Sequence, residues 1–372
     1  MKIAWIGPVA DEETLLRFPA AFSPAGVRWN GGFVRALGAE TVDVRTVYHL
    51  ARPAWPRGPL WVPNYQLVAG GSGGAWPGYW NVRGLRPLSL AKGYSRVVSR
   101  WIAGGWKPDF VVVYNAGPQN VSLARAMNRK FEVPWVVLLA DADADAQSAA
   151  GCIQLGARGI VHLSWKAFEA QESGPRLHLD GGIDRCRTLP SPMQRTKAIV
   201  YSGALHPVAG ADFLVRAFRQ LKDPEARLHL TGKGADADFK ALVKTDTRIT
   251  LHGLVSEAKL DAVCGAAEMF VNPRPSRFPE NAENFPSKLL EYLSWARPVI
   301  STMTPGVHPE YREVITVLER ETEEALAQAM AEVLAWPDSR YIAQTQRIAA
   351  WMSAKRLWSI QARRFLDWLA GL

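Results

Sequence analysis

The stretch EMFVNPRPSRFPENAENFPSKLLEYLSWARPVIST, Glu268–Thr302, holds the repeating unit of the chain. The apolar run Glu268–Asn272 stops at Pro273 and reads as a strand. A polar, Pro-rich connection follows. Ser287–Trp295 then sets Leu289, Leu290 and Leu293 at helical spacing, and Pro298–Thr302 is apolar again. Strands that alternate with helices of about ten residues predict βα units and a parallel sheet covered on both faces.

The same alternation extends outward. Upstream, strands are predicted at Lys197–Ser202, Ala226–Thr231 and Arg248–His252. The helices between them are Ala211–Leu221, Asp236–Val243 and Glu257–Ala266. Downstream come a strand at Val314–Leu318 and a helix at Glu323–Ala335. The first half repeats the theme less cleanly. Its strands are predicted at Lys2–Ile6, Thr41–Tyr48, Phe110–Tyr114, Trp135–Leu139 and Gly159–Leu163, and its helices at Phe33–Leu37, Leu90–Ala103, Val121–Lys130 and Trp165–Gln171. Ala51–Leu88 is rich in Gly and Pro and has no period, which predicts one long loop. Thr188–Arg195, with two prolines, reads as a linker between domains spanning 1–190 and 195–345. From Tyr341 to Leu372 a helix pattern places Trp351, Trp358 and Phe365 seven apart. They are expected to be core residues, with the helix of 345–372 packing back on the first domain.

A chain of 372 residues can bury a large core without disulfide or metal staples. Cys152, Cys186 and Cys264 are far apart and odd in number, which suits a reducing compartment and no structural zinc. No apolar run approaches the ~18 residues a membrane span needs. A cytoplasmic protein is expected, peripheral to the inner face of a membrane if associated with one. Charge is uneven. Of the formal +9, the first 190 residues hold 21 basic against 14 acidic residues and the rest 23 against 21. Between Val44 and Pro108 there are nine Lys and Arg, no acid and six Trp. Trp among cations suits an anionic membrane surface. It is also compatible with a solvated basic face over a Trp-containing core. No nucleic-acid motif accompanies it, so no nucleic-acid partner is expected.

Open α/β sheets bind ligands beyond the carboxyl ends of their strands. After Glu268–Asn272, the residues there include Glu283 and Glu291, eight apart, with Asn284, Phe285, Pro286 and Ser287 leading into the helix that carries Glu291. Lys288 adds a full positive charge near the helix start, which suits a diphosphate. A capped helix with a Lys288–Glu291 surface pair explains the same residues without any ligand.

This segment resembles the donor-site signature of the family 4 glycosyltransferases of GT-B fold, in which two glutamates bracket a helix start (Glu283 and Glu291 here). A Glu-Tyr-hydrophobic run (Tyr292, Leu293) and a basic-Pro-Val-Ile strand (Arg297–Ile300) follow. The resemblance implies two Rossmann-like, doubly wound parallel-sheet domains facing a cleft. It implies a retaining enzyme that moves a sugar from a UDP- or GDP-linked donor to a glycan or lipid-linked acceptor, with no metal and no cofactor. Glu291 would bond the ribose hydroxyls and Glu283 the transferred sugar. Backbone amides at Asn284, Phe285, Pro286 and Ser287 would hold the sugar and diphosphate. Gly31 and Gly32 match the family's glycine pair at the first helix start.

Two departures stand out. Where the family carries an Arg and a Lys after Gly203, this chain has Ala204 and Ala209. Lys288, Arg274 or Lys233 must then supply charge to the leaving diphosphate, and Lys288 is the expected choice. The family's first-domain histidine is also missing, and Asp141 is the candidate base or sugar contact in its place. These departures leave two other readings open: a nucleotide-sugar binding protein with a decayed site, or a nucleotide-sugar epimerase. Gly232–Ala237 resembles a dinucleotide turn but follows the wrong strand of its domain. Asp141, Asp143 and Asp145 lack the glycine and glutamate of a calcium loop.

Overall fold

A computed structural model describes residues 1–10, 14, 18, 23–69, 72–140, 148–187 and 195–372. The chain forms two compact units: Met1–Gly182 together with Trp358–Leu372, and Ile183–Leu357.

The first unit is built on β1 (Lys2–Ile6), α1 (Pro24–Ala39), β2 (Asp43–Val47), β3 (Trp61–Val62), β4 (Tyr65–Ala69), β5 (Ser72–Trp76), β6 (Tyr79–Trp80), α2 (Arg86–Ala103), β7 (Phe110–Tyr114), α3 (Pro118–Phe131), β8 (Trp135–Leu139), α4 (Ala149–Gln154), β9 (Ile160–His162), α5 (Trp165–Ala170) and β10 (Arg176–His178). Eight strands form one sheet in the order β10-β9-β8-β7-β1-β2-β5-β4. It is parallel except for the β4–β5 edge pair. Strand residues alternate between its two faces, as period two requires. Ala4 and Ile6 enter one apolar layer, and Ile3 and Trp5 the other.

Several elements depart from the sequence expectation. The first helix is far longer than Phe33–Leu37 and begins at Pro24, where Ser23 Oγ accepts the Gly26 N–H at 3.4 Å. Asn30, Gly31 and Gly32 lower its local propensity, but tertiary contacts offset that. Trp5 Nε1 donates to buried Asn30 Oδ1 at 2.8 Å. A Cβ on Gly32 would lie 2.3 Å from Trp358 Nε1, so this glycine makes room for the C-terminal helix. Ala51–Leu88 is not structureless. It contains β3 to β6, and β3 pairs with β6 in a separate antiparallel two-stranded sheet. The expected continuous helix from Tyr341 breaks at Arg356–Leu357 into Asp338–Lys355 and Trp358–Ala370. All three aromatics of that tail are core residues. Trp351 packs on Tyr311 at 5.1 Å in the second unit, and Phe365 on Phe33 at 5.3 Å in the first.

The second unit contains β11 (Ala198–Ser202), α6 (Ala211–Arg219), β12 (Arg227–Thr231), α7 (Ala237–Val243), β13 (Ile249–Gly253), α8 (Glu257–Gly265), β14 (Met269–Asn272), α9 (Pro279–Glu283), α10 (Lys288–Ser294), β15 (Val299–Ser301), β16 (Thr316–Val317), α11 (Glu323–Leu334) and α12 (Asp338–Lys355). Its six strands are all parallel, in the order β13-β12-β11-β14-β15-β16. The chain starts in β11, winds outward through β12 and β13, then returns to β14 on the other side of β11. That reversal is the topological switch point, where loops diverge and leave a crevice for a ligand. Of the expected linker, 188–194 lie outside the described residues. Arg195 anchors the first strand by donating from Nε to buried Glu268 Oε1 at 2.7 Å.

Candidate functional site

The carboxyl ends of β11 and β14 gather most of the residues expected to act. Ser202 ends β11 and is fixed at both backbone groups by one phenol. Its N–H donates to Tyr292 Oη at 2.9 Å, and Tyr292 Oη donates to its carbonyl at 2.9 Å. Tyr292 is fully buried, stacked on Phe270 at 4.8 Å, and burial holds its hydroxyl firmly protonated. The Ser202 side chain is thereby set beside Lys288, whose Nζ lies 3.5 Å from Ser202 Oγ.

Lys288 Nζ also donates to Glu291 Oε2 at 2.7 Å, one helical turn on. Both side chains are about three-tenths exposed. An (i, i+3) pair of this kind contributes only ~0.2–0.5 kcal/mol. An incoming phosphate oxygen can therefore replace the carboxylate at Lys288 and release Glu291 for a hydroxyl.

Two glycines bring the neighbouring loops together. Gly232, after β12, has φ +139°, and a Cβ there would lie 1.7 Å from the Gly203 carbonyl oxygen. Lys233 accepts the Leu205 N–H at its carbonyl at 2.6 Å, while its side chain is exposed. Gly210 has φ +81°, and a Cβ there would lie 2.1 Å from the Pro273 carbonyl oxygen. Asn281, fully buried, donates through Nδ2 to both Val208 and Pro275 carbonyls at 2.8 Å. The connections after β11 and β14 are thus tied into one rim.

Arg274 lies on that rim, two residues past β14. Its carbonyl accepts from Thr302 Oγ1 at 2.6 Å. The guanidinium has no ion pair among the described residues. Burial lowers its pKa, with the Tyr201 phenol opposing the shift. Water withdrawn from a cation without an opposite charge costs free energy unless an anion arrives. Tyr201 supports the loop instead, donating to the Ala204 carbonyl at 2.7 Å.

Glu283 ends α9, and Asn284 follows in extended backbone. The Phe285 side chain is a core anchor, 5.7 Å from Tyr311, so only its backbone is left to face a ligand. Gly306 lets the next loop approach: a Cβ there would lie 2.4 Å from the Asn284 carbonyl oxygen. Pro286 is buried and accepts the Leu289 N–H at 2.8 Å, whereas Ser287 makes no side-chain cap. The helix α10 is two residues shorter than the predicted Ser287–Trp295, losing one at each end.

The remaining predicted residues lie elsewhere. Gly31 and Gly32 belong to the first unit and sit in the middle of α1, not at its start. Asp141, Asp143 and Asp145 lie outside the described residues. At the end of β7, Asn115 (φ +54°) accepts the Ala140 N–H through Oδ1 at 2.9 Å. Among the described residues, no group of three or more His, Cys, Asp and Glu could hold a metal ion. Sequence alone gives Ser202, Asn281 and Tyr292 no role at the site. Ser202 ends a predicted strand, the one cue that it faces the rim.

Residues 196–335 match a family model described as "Glycosyl transferases group 1". No curated protein matches the sequence. Among solved structures, a glycosyltransferase from Rickettsia africae superposes with a TM-score of 0.71 at 12% identity, over 98% of this chain and 97% of that one. The catalytic domain of starch synthase IV from Arabidopsis thaliana, bound to ADP and acarbose, gives 0.69 at 10% identity, over 99% and 98%. Anabaena HepE in complex with UDP and glucose gives 0.66 at 14% identity, over all of both chains. The fold is GT-B, with two parallel-sheet Rossmann-like domains. The family match to the second unit and this fold together support a glycosyltransferase.

Proposed function

We propose that the protein is a retaining glycosyltransferase that takes a UDP- or GDP-linked sugar and transfers the sugar to a glycan or lipid-linked acceptor. One observation carries this reading: at the β11/β14 switch point, Lys288 reaches Ser202 at the end of the central strand with Glu291 beside it, and Arg274 of the same connection is desolvated without an ion pair among the described residues. Glu291 takes the ribose hydroxyls, Glu283 the transferred sugar, and the Asn284–Ser287 backbone the sugar and diphosphate oxygens. Neutralising the diphosphate falls to Arg274 and Lys288 rather than to a metal ion. Arg274 has the larger share, because Lys288 already has a carboxylate partner and Arg274 has none among the described residues. Gly203 and Lys233 line the same rim and contribute backbone shape.

In the transfer, the bond from the sugar's anomeric carbon to the phosphate oxygen breaks. A bond from the acceptor oxygen forms on the same face, and the acceptor's proton passes to the departing phosphate oxygen. The protein's part is placement and preorganised positive charge where negative charge develops. Asp141 is a candidate base or sugar contact from the first domain. Gly31 and Gly32 take no part in this reading, because they lie in the middle of α1 and Gly32 faces Trp358.

The test is release of free nucleotide from a panel of UDP- and GDP-sugars, with and without lipid-linked acceptors, followed by NMR of the anomeric linkage. Acceptor-dependent release with retained configuration is expected. Conversion of the donor without an acceptor would point to an epimerase. Tight nucleotide binding with no turnover would point to a decayed site.

A further inference from the structure

Among the described residues, nine large hydrophobics are exposed, and six lie between residues 55 and 88: Trp55, Leu60, Trp61, Trp80, Leu85 and Leu88, each 43–71% accessible. A ring contact and hydrogen bonds tie their segments together. Asn81, fully buried, holds the segment together. Its Nδ2 donates to the Pro53 and Pro59 carbonyls at 2.7 and 2.9 Å, its N–H donates to the Leu60 carbonyl, and its carbonyl accepts the Trp55 N–H. Trp61 and Trp80 face each other across the β3–β6 pair, edge to face at 5.3 Å. The Trp80 N–H donates to Ser89 Oγ at 2.9 Å, which fixes this small sheet against the start of α2. An exposed apolar patch so organised marks an interaction site rather than scattered surface residues.

The charge pattern specifies the partner. At 100° per residue, Leu85, Leu88, Lys92, Arg96 and Arg100 fall within an arc of about 120° on α2. The buried Leu90, Gly93, Tyr94 and Val98 occupy the other side. The arc therefore runs from apolar residues at the helix start to three exposed cations further along. Arg57 and Arg83 are exposed beside the patch, and no acid occurs between Val44 and Pro108. Exposed Trp and Leu accompanied by exposed cations match the two layers of a bilayer surface, acyl boundary and anionic headgroup. Single-stranded nucleic acid would instead need a groove with aromatic rings open for base stacking. Here Trp61 and Trp80 use a face and an edge on each other.

We infer that this face of the first unit docks on an anionic lipid surface, with Trp55, Leu60, Trp61, Trp80, Leu85 and Leu88 entering the interface and Lys92, Arg96 and Arg100 meeting the headgroups. No described helix is long and apolar enough to cross a membrane, so contact would be with the surface. The inference does not depend on the donor-site reading, and its test contains no sugar nucleotide.

The full chain is sedimented with phosphatidylcholine vesicles, with or without phosphatidylserine, at low and high salt, while Trp fluorescence is followed. Binding to the anionic vesicles, a blue shift and weakening by salt are expected. Leu88→Ser should weaken binding about tenfold, as one leucine no longer enters the interface. Lys92→Glu, Arg96→Glu and Arg100→Glu together should weaken it by on the order of 100-fold or more, at ~1 kcal/mol per lost cation. Thermal melts of both variants are run beside wild type. Leu88 is 71% exposed, so its replacement should leave the melt unchanged. Absence of binding to anionic vesicles, or equal binding by wild type and both folded variants, would overturn the inference. So would preferential capture of a single-stranded oligonucleotide.

Discussion

The chain leaves the carboxyl end of a central strand in each unit, and the two excursions behave differently. After β14, the connection to α10 is tied down at several points. Asn281 ties two carbonyls, Phe285 is anchored in the core, and Lys288 reaches Ser202 across 86 residues of sequence. After β2, the excursion through β3–β6 turns a buried asparagine inward and leaves tryptophans and leucines outside. The first arrangement suits a small polar ligand held from several sides. The second suits a broad surface met from one side. The difference teaches that a polar connection can be the more fully enclosed one, and that apolar content does not by itself indicate a core.

That comparison can be broken at several points. The largest effect expected is on the frame of the first unit. Trp358 fills the space left by Gly32 and meets Trp29 and Phe33 rings at 5.5 and 6.0 Å. Trp358→Ala should cost about 3–5 kcal/mol in denaturant unfolding of that unit, by loss of burial and a cavity. An unchanged transition would show that the C-terminal helix is not part of its core.

Next is the second unit's response to acid. Burial pushes the Glu310 carboxyl up, but Arg356, then Lys355, hold it down at about 2 against an ordinary 4.5. A depressed pKa means the ionised form stabilises the fold. That contribution is complete above about pH 4.5 and is lost as pH falls toward 2. Glu310→Gln should lower stability at neutral pH by about 2–3 kcal/mol and flatten the acid limb of the stability profile. A variant with the wild-type profile would remove the Arg356–Glu310 pair from the account.

A smaller effect separates the two cations of the rim. Arg274→Ala should weaken UDP or GDP binding by about 30-fold, and Lys288→Ala by about tenfold, since a charged hydrogen bond contributes ~1.5–3 kcal/mol less whatever its partner recovers. Equal or reversed losses would return the diphosphate to Lys288.

Much of the second unit is legible because β11 to β15 are short and each has a Gly or Pro at one end, and the helices return at a regular interval. Glu283, Lys288 and Glu291 lie within nine residues, so their proximity follows from local geometry. What escapes reading is long-range. Ser72–Trp76 is Ser-Gly-Gly-Ala-Trp, with no alternation, and becomes a strand only by pairing with β2 and β4. Gly32 resembles a ligand-binding glycine until Trp358 is brought onto it. Arg274 looks like one cation among several. Only the fold shows that it is desolvated without an acid beside it among the described residues.

The central claim is that a nucleotide is held at the β11/β14 rim by Glu291. Calorimetric titration of UDP and GDP into wild type and Glu291→Ala tests it most directly. The account predicts binding of one nucleotide by wild type and a loss of about 100-fold in the variant, with its thermal melt retained. Equal affinity in the two proteins would contradict it.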